Sequence, residues 1–184
     1  MGRWEPNARG RLQEAALALY SERGYEQTTV AEIAKRAGLT ERTFFRHFAD
    51  KREVLFWGAA ALEEHLLRAL EEAPESAPPI ERIRAAFEAV TALLPHREHA
   101  RARQRIIVAN PELREREQLK MASLAAAAAQ ALRNRGINES AANLAAEMGV
   151  AVFRVAFERW LTETNERTLP QVFRETFEEL KALF

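Results

Sequence analysis

The sequence predicts an all-α protein of about nine helices, and three observations carry that prediction. No alternating run of β-branched residues and no Asn-Gly or Asp-Gly hairpin turn occurs. Apolar residues recur at three- and four-residue spacing from end to end. Cap and stop residues punctuate that pattern at intervals a helix can fill.

The first helix is expected over Ala8–Arg23, with Leu12, Ala15, Ala16 and Leu19 on one stripe and Gly24 as its stop. The second opens at Thr29, where Glu32 three residues on completes a capping box; Ile33 and Ala37 face inward before Gly38. The third runs from Thr40 as cap to about His47. Asp50, again with a glutamate three residues later at Glu53, is expected to cap a fourth helix through Val54, Trp57, Ala61 and Leu66.

Pro-Glu-Ser-Ala-Pro-Pro at 74–79 is the clearest loop, because each proline removes a backbone donor and restricts the residue before it. Five more helices fit the remainder: Ile80–Leu94, His96–Ala109, Pro111–Arg135, Glu139–Glu163 and Pro170–Phe184. Pro95, Asn110-Pro111, Gly136 with Asn138, and Thr168 mark the boundaries. The alanine run within Leu124–Ala131 reads as a well-formed helix with small side chains. A boundary near residue 53 divides the chain into a three-helix head, 1–53, and a longer body, 54–184.

The 184 residues suffice to bury a core, and the lack of cysteine excludes disulfides, thiolate metal sites and cysteine nucleophiles. No N-terminal apolar run has signal-peptide length and no stretch approaches the ~18 apolar residues of a membrane span, so a cytoplasmic protein without a membrane partner is expected. Charge is balanced overall at 27 cationic and 27 anionic side chains. It is uneven along the chain, with 10 Lys/Arg against 7 Asp/Glu in residues 1–52 and 17 against 20 beyond. A basic head suits phosphate; an acidic body does not.

His96 and His99 have a spacing that could hold a metal, but no third ligand accompanies them. No serine, histidine and aspartate constellation suggests catalysis. The protein is therefore expected to be no enzyme, with no metal and no cofactor.

A short helix, a tight turn at Gly38 and a second short helix, following a longer one, make the plan of a helix-turn-helix unit. Leu39 can plug the core beneath the turn, and Ala34 is small enough for the next helix to cross closely. Phe44 and Phe48, four apart, share a face that can bury against Leu12, Leu19 and Ile33. Glu41, Arg42, Phe45 and Arg46 fall mostly on the opposite side. Periodicity alone leaves open whether those cations read DNA or only solvate a helix face.

The run from Thr28 to Thr40, followed by Thr43-Phe44-Phe45-Arg46-His47-Phe48 and Lys51-Arg52-Glu53-Val54-Leu55-Phe56, closely resembles the TetR family of bacterial transcription regulators. That resemblance implies a homodimer whose N-terminal three helices bind double-stranded operator DNA and whose C-terminal body binds a small-molecule effector. By position it implies phosphate contacts from Thr29 and Lys51, major-groove roles for Arg42, Thr43 and Arg46, and His47 near the DNA backbone. Thr40 belongs with this DNA-facing set. Phe45 stands where the family usually has tyrosine, so it keeps shape contact and loses a polar one. Arginine suits base readout, since its fork can meet the O6 and N7 of guanine. Arg3, Trp4 and Arg9 could form a basic arm or simply an untethered terminus.

In the body, the helix over Glu139–Glu163 is apolar on two sides: Leu144, Met148, Ala151 and Val155 on one, and Val152, Phe153, Ala156, Phe157 and Trp160 on the other. Phe173, Phe177, Leu180 and Phe184 continue the theme in the last helix. These could be single-chain core. In the resembled family the last two helices pair across a dyad, which implies a dimer interface at Val152, Phe157, Trp160, Phe173, Phe177 and Leu180. Effector-pocket candidates are Trp57, Phe87, Val90, Leu94, Ile106, Ile107, Met121, Leu124, Met148 and Phe153, with core packing the alternative at each.

The run Arg101–Arg116 and the segment Gly149–Trp160 look like the body of a TetR subgroup described as binding acyl-CoA-like ligands, which includes regulators of mycofactocin gene clusters. This implies a long apolar effector such as a fatty acyl-CoA, with cationic help from Arg101, Arg103 or Arg105. The expected protein is a ligand-responsive transcription regulator, a repressor released from a palindromic operator. The alternative is a helical ligand-binding or sequestering protein without DNA binding.

Overall fold

The computed structural model describes residues 7–94, 96–164 and 166–183. Among these the chain forms nine α-helices and no strand: α1 (Ala8–Arg23), α2 (Val30–Arg36), α3 (Glu41–His47), α4 (Ala59–Glu72), α5 (Pro79–Thr91), α6 (Arg97–Ala109), α7 (Pro111–Asn134), α8 (Glu139–Thr162) and α9 (Leu169–Lys181). The expected caps close as the sequence implies. Thr29 and Glu32 form a reciprocal capping box on α2, Thr40 accepts from the Thr43 N–H on α3, and Asn138 accepts from the Ala141 N–H on α8. Thr168 with Gln171 does the same for α9, one residue earlier than expected.

The fourth helix departs from the sequence reading. Asp50 does cap, accepting the N–H groups of Arg52 and Glu53 at 2.8 and 3.1 Å. What it caps is a run of three-residue turns, Leu55 N–H to Arg52 C=O at 3.0 Å and Phe56 N–H to Glu53 C=O at 3.2 Å. The α-ladder starts only at Ala59, after Gly58 at φ 92°. The physical reason is burial. Val54, Leu55 and Phe56 are 2, 6 and 5% exposed, and three consecutive residues of an α-helix point about 100° apart, so they could not all enter one core. Turns bring them in together, and glycine supplies the left-handed step out.

Two compact units result. The first takes the chain up to Trp57 together with Arg101–Glu117. It is therefore not confined to residues 1–53: most of α6 and the start of α7 belong to it. Its core joins Leu12, Leu19, Ile33, Phe44, Phe48, Val54, Leu55 and Phe56 with Ile106, Ile107 and Leu113.

The second unit comprises Gly58–Ala100 and Gln118–Phe184. Leu66, Leu70, Ile83, Phe87, Leu132, Trp160, Phe173 and Phe177 anchor its core, and the inward alanines 125, 128 and 129 of α7 are buried. Its rings form a chain: Phe157–Phe153, Phe153–Phe87, Phe87–Phe173 and Phe173–Phe177 have centroids 5.8–6.2 Å apart. Arg135 donates to the carbonyls of Leu70 and, at 2.7 Å, Ala73, satisfying orphan acceptors at the end of α4.

Contrary to the sequence expectation, α8 is long and apolar enough to cross a membrane by length and composition, with a mean hydropathy of 1.2. Ala142, Ala146, Val152, Ala156 and Trp160 place one of its faces in the body core, where an apolar helix also belongs.

Candidate nucleic-acid interface

The turn between α2 and α3 is built by backbone geometry that glycine allows. Gly38 sits at φ 66°, its N–H bonds Lys35 C=O at 3.0 Å, and the Leu39 N–H bonds Ala34 C=O at 2.8 Å. This pair of bonds terminates a helix with a left-handed residue. The Arg11 guanidinium donates to Ala37 C=O, and its Nη2 lies 2.7 Å from where a Cβ on residue 38 would be. The left-handed conformation therefore favours glycine, and an added Cβ would also displace the end of the Arg11 side chain.

Beyond the turn, α3 divides its residues between two environments. Phe44 is fully buried and Phe48 nearly so, with ring centroids 5.5 Å apart. Phe45 is 55% exposed and meets Phe44 edge to face at 5.5 Å. The two neighbouring phenylalanines thus differ in role: one holds the helix to its unit and the other presents an apolar face outward. Thr29, Thr40, Arg42 and Arg46 are exposed, while Thr43 and His47 are half-buried.

The cations sort by partner. Arg36 meets Glu22 with two bonds of 2.6 Å, Arg23 meets Glu32 at 2.9 Å, and Arg52 meets Asp50 at 2.6 Å. Among the described residues, Arg42 and Arg46 carry no ion pair. They are the guanidiniums this surface leaves open to an outside acceptor. The Thr29 hydroxyl, by contrast, is occupied, donating to Glu32 Oε2 at 3.0 Å and accepting the Glu32 N–H at 3.3 Å.

Lys51 differs most from its expected role. Its Nζ donates to the carbonyls of Tyr25, Glu26 and Thr28 at 2.9, 3.3 and 3.0 Å. It also lies 4.4 Å from the centre of the Tyr25 ring. The ammonium is thus bonded within the chain itself.

His47 Nε2 is buried with no partner among the described residues. Burial first, then the charges of Arg46 and Arg9, push its pKa below the ordinary histidine value. Of the suggested basic arm, Arg3 and Trp4 lie outside the described residues. Arg9 stands in α1 with its guanidinium 5.7 Å from the centre of the Trp57 ring.

The pocket candidates do not converge. Ile106 and Ile107 lie in the core of the first unit, a correction that follows from α6 packing there, and Trp57 is 48% exposed in that same unit. In the second unit Phe87, Val90 and Leu124 are core, while Met121, Met148 and Phe153 are half-buried. Leu94 lines a groove of about 500 Å³, beside Thr91, Arg97, Trp160, Arg167 and Leu169.

The dimer-interface candidates divide by burial within the single chain. Val152, Trp160, Phe173 and Phe177 are at most 5% exposed within a single chain, so they are already spent on its own core; Phe157 and Leu180 are half-buried. The apolar residues of α8 left outside are Leu144, 62% exposed, and Val155, 45% exposed, with Ala151 between them. Sequence periodicity had separated these two faces but could not say which one the chain covers itself.

Comparison with known proteins agrees with this architecture. The profile described as bacterial regulatory proteins of the tetR family matches residues 12–56, and that of the MftR C-terminal domain matches residues 77–184. The regulator TcmR of Streptomyces glaucescens is 44% identical over 82 residues, 45% of this chain and 36% of TcmR. The repressor KstR2 of Mycobacterium tuberculosis is 34% identical over 89 residues, 48% of this chain and 44% of KstR2. The chain thus spans less than half the length of these curated relatives. Among solved structures, FadR from Bacillus subtilis in complex with stearoyl-CoA superposes with a TM-score of 0.64 at 20% identity, covering 93% of this chain and 96% of FadR. With a tetR-type match across the helix-turn-helix and a second match over more than half its length, the chain belongs to the TetR family of bacterial regulatory proteins.

Proposed function

We propose that this protein is a dimeric, ligand-responsive transcription regulator that represses from a near-palindromic operator and leaves it when an apolar effector binds the body. One observation carries the DNA-binding part: Arg42 and Arg46 stand exposed on α3 without ion-pair partners among the described residues, flanking the outward Phe45. Two unpaired guanidiniums on a short helix of a helix-turn-helix unit suit guanine edges and phosphates. Thr40, Thr43 and His47 lie with them as positioning contacts to the DNA backbone, whereas the Thr29 hydroxyl is engaged by Glu32.

Dimerisation is assigned to the exposed α8 stripe of Leu144, Ala151 and Val155, with Met148, Phe157 and Leu180 at its margin. A two-fold pair of heads reads half-sites roughly 34 Å apart. The effector is assigned to the fatty acyl-CoA class, supported by the MftR-type C-terminal match and by the stearoyl-CoA in the FadR neighbour. Arg103 is not among its phosphate contacts, since it is held by Leu55 and Glu117. The site of action is the cytoplasm.

A gel-shift with DNA flanking the protein's own gene tests this reading. The expected result is a retarded band that stearoyl-CoA abolishes. Binding of stearoyl-CoA with no retardation of that DNA, nor of any duplex from a random pool, would instead support the sequestering protein.

A further inference from the structure

We infer that Trp57 is a platform that holds the Arg9 guanidinium toward a DNA phosphate, adding a backbone contact beside the recognition helix α3. The inference rests on the DNA-binding reading above. Arg9 is the second residue of α1 and Trp57 stands just before Gly58, so neither belongs to the α2–α3 pair itself. The Arg9 Cζ lies 5.7 Å from the centre of the Trp57 ring, within reach of the ring's negative face. That attraction consumes none of the guanidinium's N–H donors, and among the described residues no acceptor meets them. The indole is 48% exposed, so core packing uses only part of it and its outer surface is free to hold a cation.

Arg9 is not an isolated charge. Burial lowers the His47 pKa first, and the charges of Arg46 and Arg9 lower it further, so both guanidiniums lie close to that imidazole. The first turn of α1 contains no acid, while the last turn of α3 contributes Arg46 and His47. Arg46, like Arg9, has no ion pair among the described residues. By contrast Arg23, Arg36 and Arg52 are matched by Glu32, Glu22 and Asp50.

Like charges gathered without an acid repel one another, and an external anion relieves that repulsion. A phosphodiester of duplex DNA fits the place. Its paired non-bridging oxygens suit a guanidinium fork, and on a duplex it lies beside the bases that α3 would read. Arg46 and His47 would also complement the negative end of α3. Arg9 comes from another helix, and dipole complementarity gives no reason for its place there.

The test measures binding of wild type, Arg9→Ala, Arg9→Lys and Trp57→Leu across a salt series. Each full-length chain meets the duplex that wild type recovers from a random pool, and an unrelated duplex. A phosphate contact contributes about 0.9 to the slope of log affinity against log salt. Arg9→Ala is expected to lose about tenfold on both duplexes alike, with a slope shallower by about 0.9. Arg9→Lys keeps the charge and therefore the slope. Trp57→Leu keeps the charge without the platform, so its affinity should fall about two- to fivefold at unchanged slope.

Wild-type affinity and slope in Arg9→Ala would overturn the inference and leave Arg9 as cover for the indole. Wild-type affinity in Trp57→Leu would overturn the role given to Trp57. The Arg9 variants change an exposed position and decide the phosphate contact whatever Trp57→Leu does to the fold. Should wild type bind neither duplex, the DNA-binding reading fails and the inference falls with it. Wild-type binding that Arg9→Ala leaves unaltered fails the inference alone.

Discussion

Arg103 donates its Nε to the carbonyl of Leu55 at 2.7 Å, across 48 residues of sequence. The same guanidinium donates to Glu117 Oε1 at 3.1 Å and lies 5.2 Å from the centre of the Phe56 ring. Gln104 Nε2 donates to the other Glu117 oxygen at 3.2 Å. Burial lowers the Arg103 pKa from its ordinary value, with Glu117 opposing that shift. This bond is what completes the irregular segment before α4: the turns that bury Val54, Leu55 and Phe56 leave a carbonyl without a ladder partner, and α6 supplies its donor.

Removing Arg103 should therefore cost more than an ordinary surface arginine. Arg103→Met is expected to destabilise the chain by about 1–3 kcal/mol, because it removes the donor of the Leu55 carbonyl and leaves Glu117 with Gln104 alone at a half-buried place. Glu117→Gln in the same background should cost less than it does alone. Urea unfolding of the two single variants and the double variant measures this coupling; additive losses would separate the two residues.

His47 predicts a pH dependence. Its folded pKa is held below the ordinary value by burial, Arg46 and Arg9, so the unfolded chain takes up the proton first. The stabilisation is present above the unfolded pKa of about 6.5 and is lost as pH falls from there through the folded value. Thermal unfolding from pH 7.5 down to pH 5 should show a decline that His47→Gln flattens. Glu22 and Glu32 have lowered pKa values through Arg36 and through Thr29. Their contribution is lost only below about 4.5, a separable window.

Arg42→Ala should relax sequence preference by about 1–3 kcal/mol at one base pair per half-site while leaving affinity for unrelated DNA nearly unchanged. Selection from a random duplex pool by wild type and variant gives the comparison. Identical recovered motifs would remove Arg42 from base readout.

Leu144→Glu with Val155→Glu should yield a folded monomer at micromolar protein, because both side chains are outside the chain's own core and a charge there opposes an apolar interface. Sedimentation velocity reads the mass, and helical circular dichroism confirms the fold. A dimer that survives both changes would move the interface elsewhere.

What could be read from the chain alone follows from the range of the interactions. A cap joins residues three apart, so Thr29 with Glu32, Thr40 with Thr43, and Asn138 with Ala141 could be placed before any fold was known. The Gly38 turn and the burial of Phe44 and Phe48 on one side of α3 depend on neighbours within one or two helical turns. The division of α3 into an inner and an exposed face was legible for that reason.

Roles that depend on distant partners were not legible. Lys51 looks like a free cation until the Tyr25–Thr28 carbonyls come within 3.3 Å of it. Arg36 and Arg42 look alike in sequence, yet Glu22 neutralises only the first. Asp50 signalled a helix start correctly as a cap and wrongly as a ladder, because burying three consecutive apolar residues outweighed the local helical preference. Phe173 and Phe177 were equally apolar as core or as interface until α5 and α8 covered them. The sequence by itself determined helix type, caps and the two-sided pattern of each helix, all set by local sterics and hydrogen bonding. Only the tertiary structure decided which face is already covered and which charge is already paired, since burial and pairing depend on groups far apart along the chain.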